Sequence, residues 1–165
     1  MEGGGTVYAT IDANVLLEFI RTDQLDLLGR NPAYQFTIPE DVYGEIEAPS
    51  QKQRLNQAIQ RDYFHDVQRV QGEALRLYQD IRKRLDKGEA ACIALSAVND
   101  WYVASDETGA LDEVAEAYLG RSKVHRSADI LLSAVANDLV TVQRADKLKA
   151  QFEPRYSFNS FGDLL

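Results

Sequence analysis

Four acidic side chains stand where a carboxylate is hard to explain as ordinary surface charge. Asp12 follows the β-forming run Val7-Tyr8-Ala9-Thr10-Ile11, and Asp106 follows Trp101-Tyr102-Val103-Ala104-Ser105. Glu89 opens the apolar stretch Ala90 to Val98 behind Gly88, and Glu45 lies between Val42 and Ile46. Acids beside apolar elements are costly to hold unless something pairs with them. The set contains oxygen donors only, with no Cys/His cluster at zinc spacing, and such hard donors suit Mg2+ or Mn2+ with waters completing the shell. An ion held in this way can activate water and neutralise the charge developing on a phosphodiester. Asp12, Glu89 and Asp106 are the expected metal ligands, and Glu45 joins them as the fourth catalytic acid. Without metal the cluster repels itself, so one carboxyl is expected to keep a proton. A structural reading stays open beside this one, because an acid in the place of Asp12 also serves as a helix N-cap. Glu107 and Asp112 are further acids near Asp106 and candidates to join the metal shell, against the more ordinary reading of acids at a helix start.

The elements that would carry these acids alternate along the chain. Thr6 to Ile11 reads as a short central strand and Val15 to Ile20 as a helix, followed by a short helix around Leu25 to Leu28. Tyr34 to Ile38 is a second strand. Pro39-Glu40-Asp41 opens a helix with proline in its first turn. A polar helix spans Gln51 to Tyr63, a strand His65 to Val70, and an amphipathic helix Gly72 to Arg84. The Glu89 helix is apolar on nearly every side except at Ser96, the mark of burial on most faces. Helices around Leu111 to Tyr118 and from Ala128 to Val140 follow, separated by the basic connection Arg121 to Arg126. The tail runs to an aromatic stretch with Tyr156, Phe158 and Phe161. This order predicts an α/β fold, a three-layer α/β/α sandwich around a mainly parallel sheet. In such folds ligands gather at the carboxyl ends of the strands, where Asp12 and Asp106 would both stand.

With 165 residues, 45% of them hydrophobic, the chain suits one domain, residues 1–165, with a flexible start over residues 1–6. A formal net charge of −8 argues against indiscriminate binding to nucleic-acid backbones, but leaves room for a nuclease with a local basic patch. The single cysteine, Cys92, excludes an internal disulfide and reads as a core residue. No signal peptide or membrane-length apolar run is visible, so a cytoplasmic protein without a membrane partner is expected.

Four blocks carry a family resemblance. They are Asp12-Ala13-Asn14-Val15-Leu16-Leu17, Val42-Tyr43-Gly44-Glu45-Ile46, Leu85 to Leu95 around Gly88-Glu89-Ala90, and Val103-Ala104-Ser105-Asp106-Glu107. In order and spacing they resemble the PIN-domain family, in the form of its prokaryotic branch related to VapC-type toxins. The resemblance implies a Mg2+- or Mn2+-dependent endoribonuclease, often a homodimer, held inactive by a small antitoxin protein when it belongs to a toxin–antitoxin pair. Asp12, Glu45, Glu89 and Asp106 then match the four acids of the family's site. Asn14 matches a polar position supporting the first acid, and Ser105 the small hydroxyl residue before the last. One departure stands out: many relatives place an Ala-Arg pair shortly after the last acid, where this chain has Ala110-Leu111.

Two cationic groups could contact RNA: Arg82, Lys83, Arg84 and Lys87 before Glu89, and Arg121, Lys123, His125 and Arg126 after the last acid. The second group is favoured because it precedes a helix starting at the same sheet edge. His125 as a general base is the lesser expectation. The leading alternative to an RNA-cleaving enzyme is a non-catalytic PIN-like module that binds RNA or protein. A receiver- or phosphatase-like protein built on Asp12 ranks behind it, since Asn14 stands where a second acid would be needed.

Overall fold

The computed structural model describes residues 5–152 and 158–165. Residues 1–4 of the expected flexible start, and Tyr156 of the aromatic tail, lie outside the described residues. Among those described, five parallel strands form one sheet in the order β3-β2-β1-β4-β5. They are β1 (Val7–Ile11), β2 (Tyr34–Pro39), β3 (Asp66–Gln68), β4 (Tyr102–Ala104) and β5 (Val124–His125). The chain builds outward from β1 to β3 on one side, then crosses back to lay β4 and β5 on the other. The order therefore reverses between β1 and β4, the kind of switch point where open α/β sheets hold ligands.

Helices cover the sheet, giving the expected α/β/α sandwich. They are α1 (Ala13–Arg21), α2 (Asp26–Gly29), α3 (Glu40–Glu45), α4 (Pro49–Gln60), α5 (Glu73–Ile81), α6 (Lys87–Asn99), α7 (Ala110–Leu119), α8 (Ser127–Ala136) and α9 (Val142–Gln151). Helix α6 lies on β1, β2 and β4 and touches α3, α5 and α7, while α8 packs on α2 and α9. Burial of Gly88 and of every residue from Ala90 to Ser96 explains why α6 is apolar around most of its circumference. Its one polar exception is accounted for: Ser96 Oγ donates to Tyr102 O at 2.8 Å and shares a 3.0 Å hydrogen bond with Thr10 Oγ1. Thr10 Oγ1 also donates to Cys92 O at 3.1 Å. These bonds join the middle of α6 to β1 and β4, and so fix where Glu89, at the start of α6, must sit.

Three expectations about elements are corrected. Pro39 ends β2 and is the extended N-cap residue of α3 rather than lying within its first turn. The basic connection contains a strand, β5, whose two residues are too few to leave a readable alternation. Helix α8 stops at Ala136 instead of continuing to Val140, with Asp138 adopting a left-handed conformation, φ 59°.

Candidate active site

Asp12 is the centre of the arrangement. Its backbone N–H continues the sheet by donating to Ala104 O at 2.9 Å, and its extended φ and ψ end β1 and begin α1. Both carboxylate oxygens are engaged: Oδ1 accepts from Ala13 N at 2.8 Å and Oδ2 from Ser105 Oγ at 2.9 Å. With 4% of its surface exposed, Asp12 is a buried acid at the sheet's carboxyl edge. Burial raises its pKa to about 7 against the opposing pull of the Ser105 and Ala13 donors, and the charges of Asp86 and Glu45 raise it further. The N-cap and site readings of Asp12 are therefore compatible, since one oxygen caps α1 while Ser105 orients the other.

Glu89 reaches the same edge from α6. A capping box ties it to Asp86: Glu89 N donates to Asp86 Oδ1 at 3.0 Å, and Glu89 Oε1 accepts from Asp86 N at 3.3 Å. Its pKa is also raised to about 7, first by burial and then by the charge of Asp86, with Asp12 and Glu107 adding to it. Glu45, at the end of α3, meets the start of α6. A Cβ at Gly88 would stand 2.3 Å from Glu45 Oε2, so the glycine leaves the room this carboxylate occupies. Burial and the charges of Asp86, Asp41 and Glu89 raise the Glu45 pKa.

Asp106 stands at the end of the neighbouring strand but faces α8. Its Oδ1 accepts from Ser127 N at 2.9 Å and its Oδ2 from Ser127 Oγ at 2.7 Å. Burial raises its pKa, while these two donors and Arg126 lower it. Asn14 bridges the two strand ends, accepting from Asp106 N at 3.3 Å and donating to Glu107 Oε1 at 3.2 Å. Of the two supporting residues expected from the sequence, Ser105 bonds the Asp12 carboxylate, whereas Asn14, expected to support Asp12, bonds the Asp106 backbone and Glu107.

The fit of a cation can be judged from these donors. Among the described residues no three acidic, His or Cys side chains close into a finished metal-binding group. The donor chemistry nevertheless suits a hard divalent ion: the mutually repelling groups are carboxylates, and the space at Gly88 is filled by a carboxylate oxygen.

Comparison with known proteins identifies the family and the fold. A family model described as a PIN domain matches residues 8–155. The chain belongs to the PIN domain family. Among solved structures it resembles a chain of VapBC2 from Rickettsia felis, solved bound to a DNA fragment from the pair's promoter, at 11% identity. That match covers 73% of this chain and 98% of the other with a TM-score of 0.50, a likeness of fold. No curated protein matches it in sequence.

The cations of this PIN domain are not where the sequence favoured them. Lys123 precedes β5, toward the amino ends of the strands, with its ammonium 4.3 Å from the Tyr102 ring centroid and 3.6 Å from Asp100. Arg121 pairs with Glu116 at 3.2 Å. His125 shares a 2.6 Å hydrogen bond with Tyr34 Oη and sits edge-on to the Tyr34 and Tyr102 rings, with its pKa lowered by burial. The structure gives all three other partners, with Nδ1 of His125 held by Tyr34 Oη. Arg126 does reach the correct edge but is occupied there: it donates to the carbonyls of Ser105 and Glu107 and to Asp112 Oδ1. Asp112 is thus paired with that guanidinium at 2.6 Å. In the first cationic group Lys83 pairs with Asp80 and Arg84 with Glu113. Arg82 and Lys87 instead line a cavity of about 550 Å3 with Glu40, Asp41, Glu45 and Asp86.

Two residues of the site were underweighted in the sequence. Asp86 acts electrostatically on Asp12, Glu45 and Glu89, and its signal is the Asp-x-x-Glu spacing of a capping box. Ser127 had no local signal, because its partner lies 21 positions away. Cys92 is a core residue as expected: it is fully buried, and desolvation holds its thiol far above its usual pKa.

Proposed function

We propose that this PIN domain is a Mg2+- or Mn2+-dependent endoribonuclease that hydrolyses RNA phosphodiester bonds in the cytoplasm. The observation carrying the proposal is Asp12: a buried carboxylate at the switch point of a parallel sheet, oriented by Ser105 and electrostatically coupled to Glu45 and Glu89. Asp12, Glu89 and an acid after β4 would hold the ion, with Glu45 bordering them; for that third ligand the sequence points to Asp106. When bound, the ion supplies Lewis acidity and neutralises charge developing on the scissile phosphate. Ser105 holds Oδ2 of Asp12 while Oδ1 caps α1. Gly88 leaves Glu45 its place beside α6, and Asn14 holds the loop after β4 against α1. Arg82 and Lys87, lining the cavity next to Glu45, would meet phosphates flanking the cleaved bond.

The proposed protein is the toxin of a toxin–antitoxin pair, acting as a homodimer; the likeness in fold to a VapBC2 chain supports a small protein antitoxin as partner. No helix among the described residues is long and apolar enough to cross a membrane. Purified tRNA and rRNA incubated with the protein, with and without Mn2+, test the activity. Wild type is expected to cut RNA with Mn2+ and Glu89→Gln is not. RNA retention without cleavage by either would favour a non-catalytic RNA-binding module and overturn the enzyme.

A further inference from the structure

We infer that the outward face of α4 is the surface on which RNA rests away from the cleaved bond, with Arg54 and Arg61 contacting its phosphates. This rests on the proposed ribonuclease and names the part of the chain that holds the rest of its substrate.

Helix α4 is the polar helix that the acids do not use. Between Glu47 and Asp62 the chain has no acidic residue, the longest such run in a protein of net charge −8, and Lys52, Arg54 and Arg61 fall within it among glutamines. Leu55 and Ala58 are buried, while Gln53, Arg54, Gln57, Gln60 and Arg61 are exposed. At helical spacing those five lie within about 120° of the circumference, so cations and amides share one face. A helix that only meets solvent carries both signs and pairs them three or four positions apart. Here there is nothing to pair, and every ion pair among the described residues uses other cations. Lys52 stands in the N-terminal half, where the helix dipole disfavours a cation. An acid-free row of arginines and amides fits a polyanion, to which both groups donate.

The helix is also placed to continue from the acids. Tyr43 Oη donates to Asn56 Oδ1 at 2.7 Å and Lys52 Nζ to Tyr43 O at 2.6 Å, which ties α4 to α3 just before Glu45. Arg54 Nη1 donates to Ile20 O at 3.2 Å, near the end of α1 farther from Asp12. A helix of this length, about 18 Å, thus leads from the Glu45 end of α3 to the far end of α1. There a cavity of about 190 Å3 has Arg54, Gln57 and Arg61 on one side and Asp23 and Asp26 on the other. No ion pair closes across it. Phosphates suit the first side, and the ribose 2′-hydroxyls that only RNA offers can donate to the carboxylates of the second.

The test is fluorescence anisotropy of a labelled tRNA in EDTA, repeated across a salt series, on wild type and two double variants. Arg54→Gln/Arg61→Gln is expected to weaken binding by about tenfold or more and to make the salt slope shallower by about one to two. Arg144→Gln/Lys147→Gln removes the same charge from α9 and is expected to bind as wild type does. DNA of the same sequence is expected to bind wild type more weakly. Arg61 makes no side-chain hydrogen bond among the described residues, so Arg61→Gln alone, with a slope shallower by about one, serves if the α4 double variant does not fold. Wild-type binding in the α4 variants, equal weakening by the α9 control, equal binding of DNA, no RNA binding by wild type, or binding of poly-glutamate in place of RNA would each overturn the assignment. Cleavage assayed with Mn2+ in parallel separates the two proposals. RNA bound through Arg54 and Arg61 but not cut supports this surface and overturns the ribonuclease, whereas cleavage with unchanged binding in the α4 variants does the reverse.

Discussion

Gly88 of α6 and Glu45 of α3 share one space. A Cβ on residue 88 would lie 2.3 Å from Glu45 Oε2 and 3.2 Å from its Cδ, so the absence of a side chain at one position is what admits the carboxylate of the other. Because the clash is with the far end of a flexible side chain, relief is cheap for the fold but moves an acid out of the site.

Gly88→Ala therefore separates stability from activity. Alanine favours the helix by up to about 1 kcal/mol, which offsets the displacement of Glu45. The melting temperature is expected to stay near that of wild type while Mn2+-dependent cleavage falls about 10- to 100-fold, the range associated with a catalytic group displaced by an ångström. Equal activity of Gly88→Ala and wild type would remove Glu45 from the machinery.

Asp12 makes the stability depend on pH. Its folded pKa, raised to about 7 by burial from 3.8, means that the folded state favours the protonated acid. The stability this supplies is complete below about pH 4 and is lost as pH rises through about 7, corresponding to a few kcal/mol at full ionisation. Asp12→Asn should thus melt several degrees above wild type near pH 8, with the gap closing toward pH 4. Millimolar Mn2+ should raise the wild-type melting temperature near pH 8 but not that of Asp12→Asn. A pH-independent gap between the two proteins would contradict the burial of a charged Asp12.

Ser105 is expected to act through Asp12. Ser105→Ala removes a donor to a buried carboxylate and the acceptor of the Glu107 N–H, at a cost of about 1–3 kcal/mol. Because that donor favours the ionised form, its loss should raise the Asp12 pKa further. The midpoint at which Mn2+ begins to stabilise the protein should then shift to higher pH in Ser105→Ala. A lower melting temperature with an unmoved midpoint would reduce Ser105 to a packing role.

Arg126 is predicted to hold the loop after β4 rather than RNA. Arg126→Ala strips three hydrogen bonds from a charged donor and should cost about 2–3 kcal/mol. The salt dependence of RNA binding should keep its slope, whereas Lys87→Ala should make it shallower. A shallower slope in Arg126→Ala would restore it as a phosphate contact.

The acids were readable because each sits at a junction with a local signature. Asp12 ends an apolar strand, Glu89 opens an apolar helix behind Asp86 and Gly88, and Glu45 is flanked by core residues. The alternation of strands and helices likewise contained the parallel sandwich, since hydrophobic period and turn residues act over a few positions. The cations had no such signature, because surface charge gives no sign of its partner. Arg126 reads as an RNA contact in the sequence, whereas its guanidinium lies on the carbonyls of Ser105 and Glu107.

The sequence by itself determined the alternation of strands and helices as far as α8, apart from the two-residue β5, the buried character of α6 and three electrostatically coupled acids, Asp12, Glu45 and Glu89. Those follow from local pattern and from the cost of burying charge. Only the tertiary structure decided what holds the two adjacent acids after β4. Spacing singles out Asp106 but says nothing of its partners. Ser127, 21 residues on, holds its carboxylate, and Asn14, after β1, bonds its backbone and the Glu107 carboxylate, because the parallel sheet sets β1, β4 and β5 side by side.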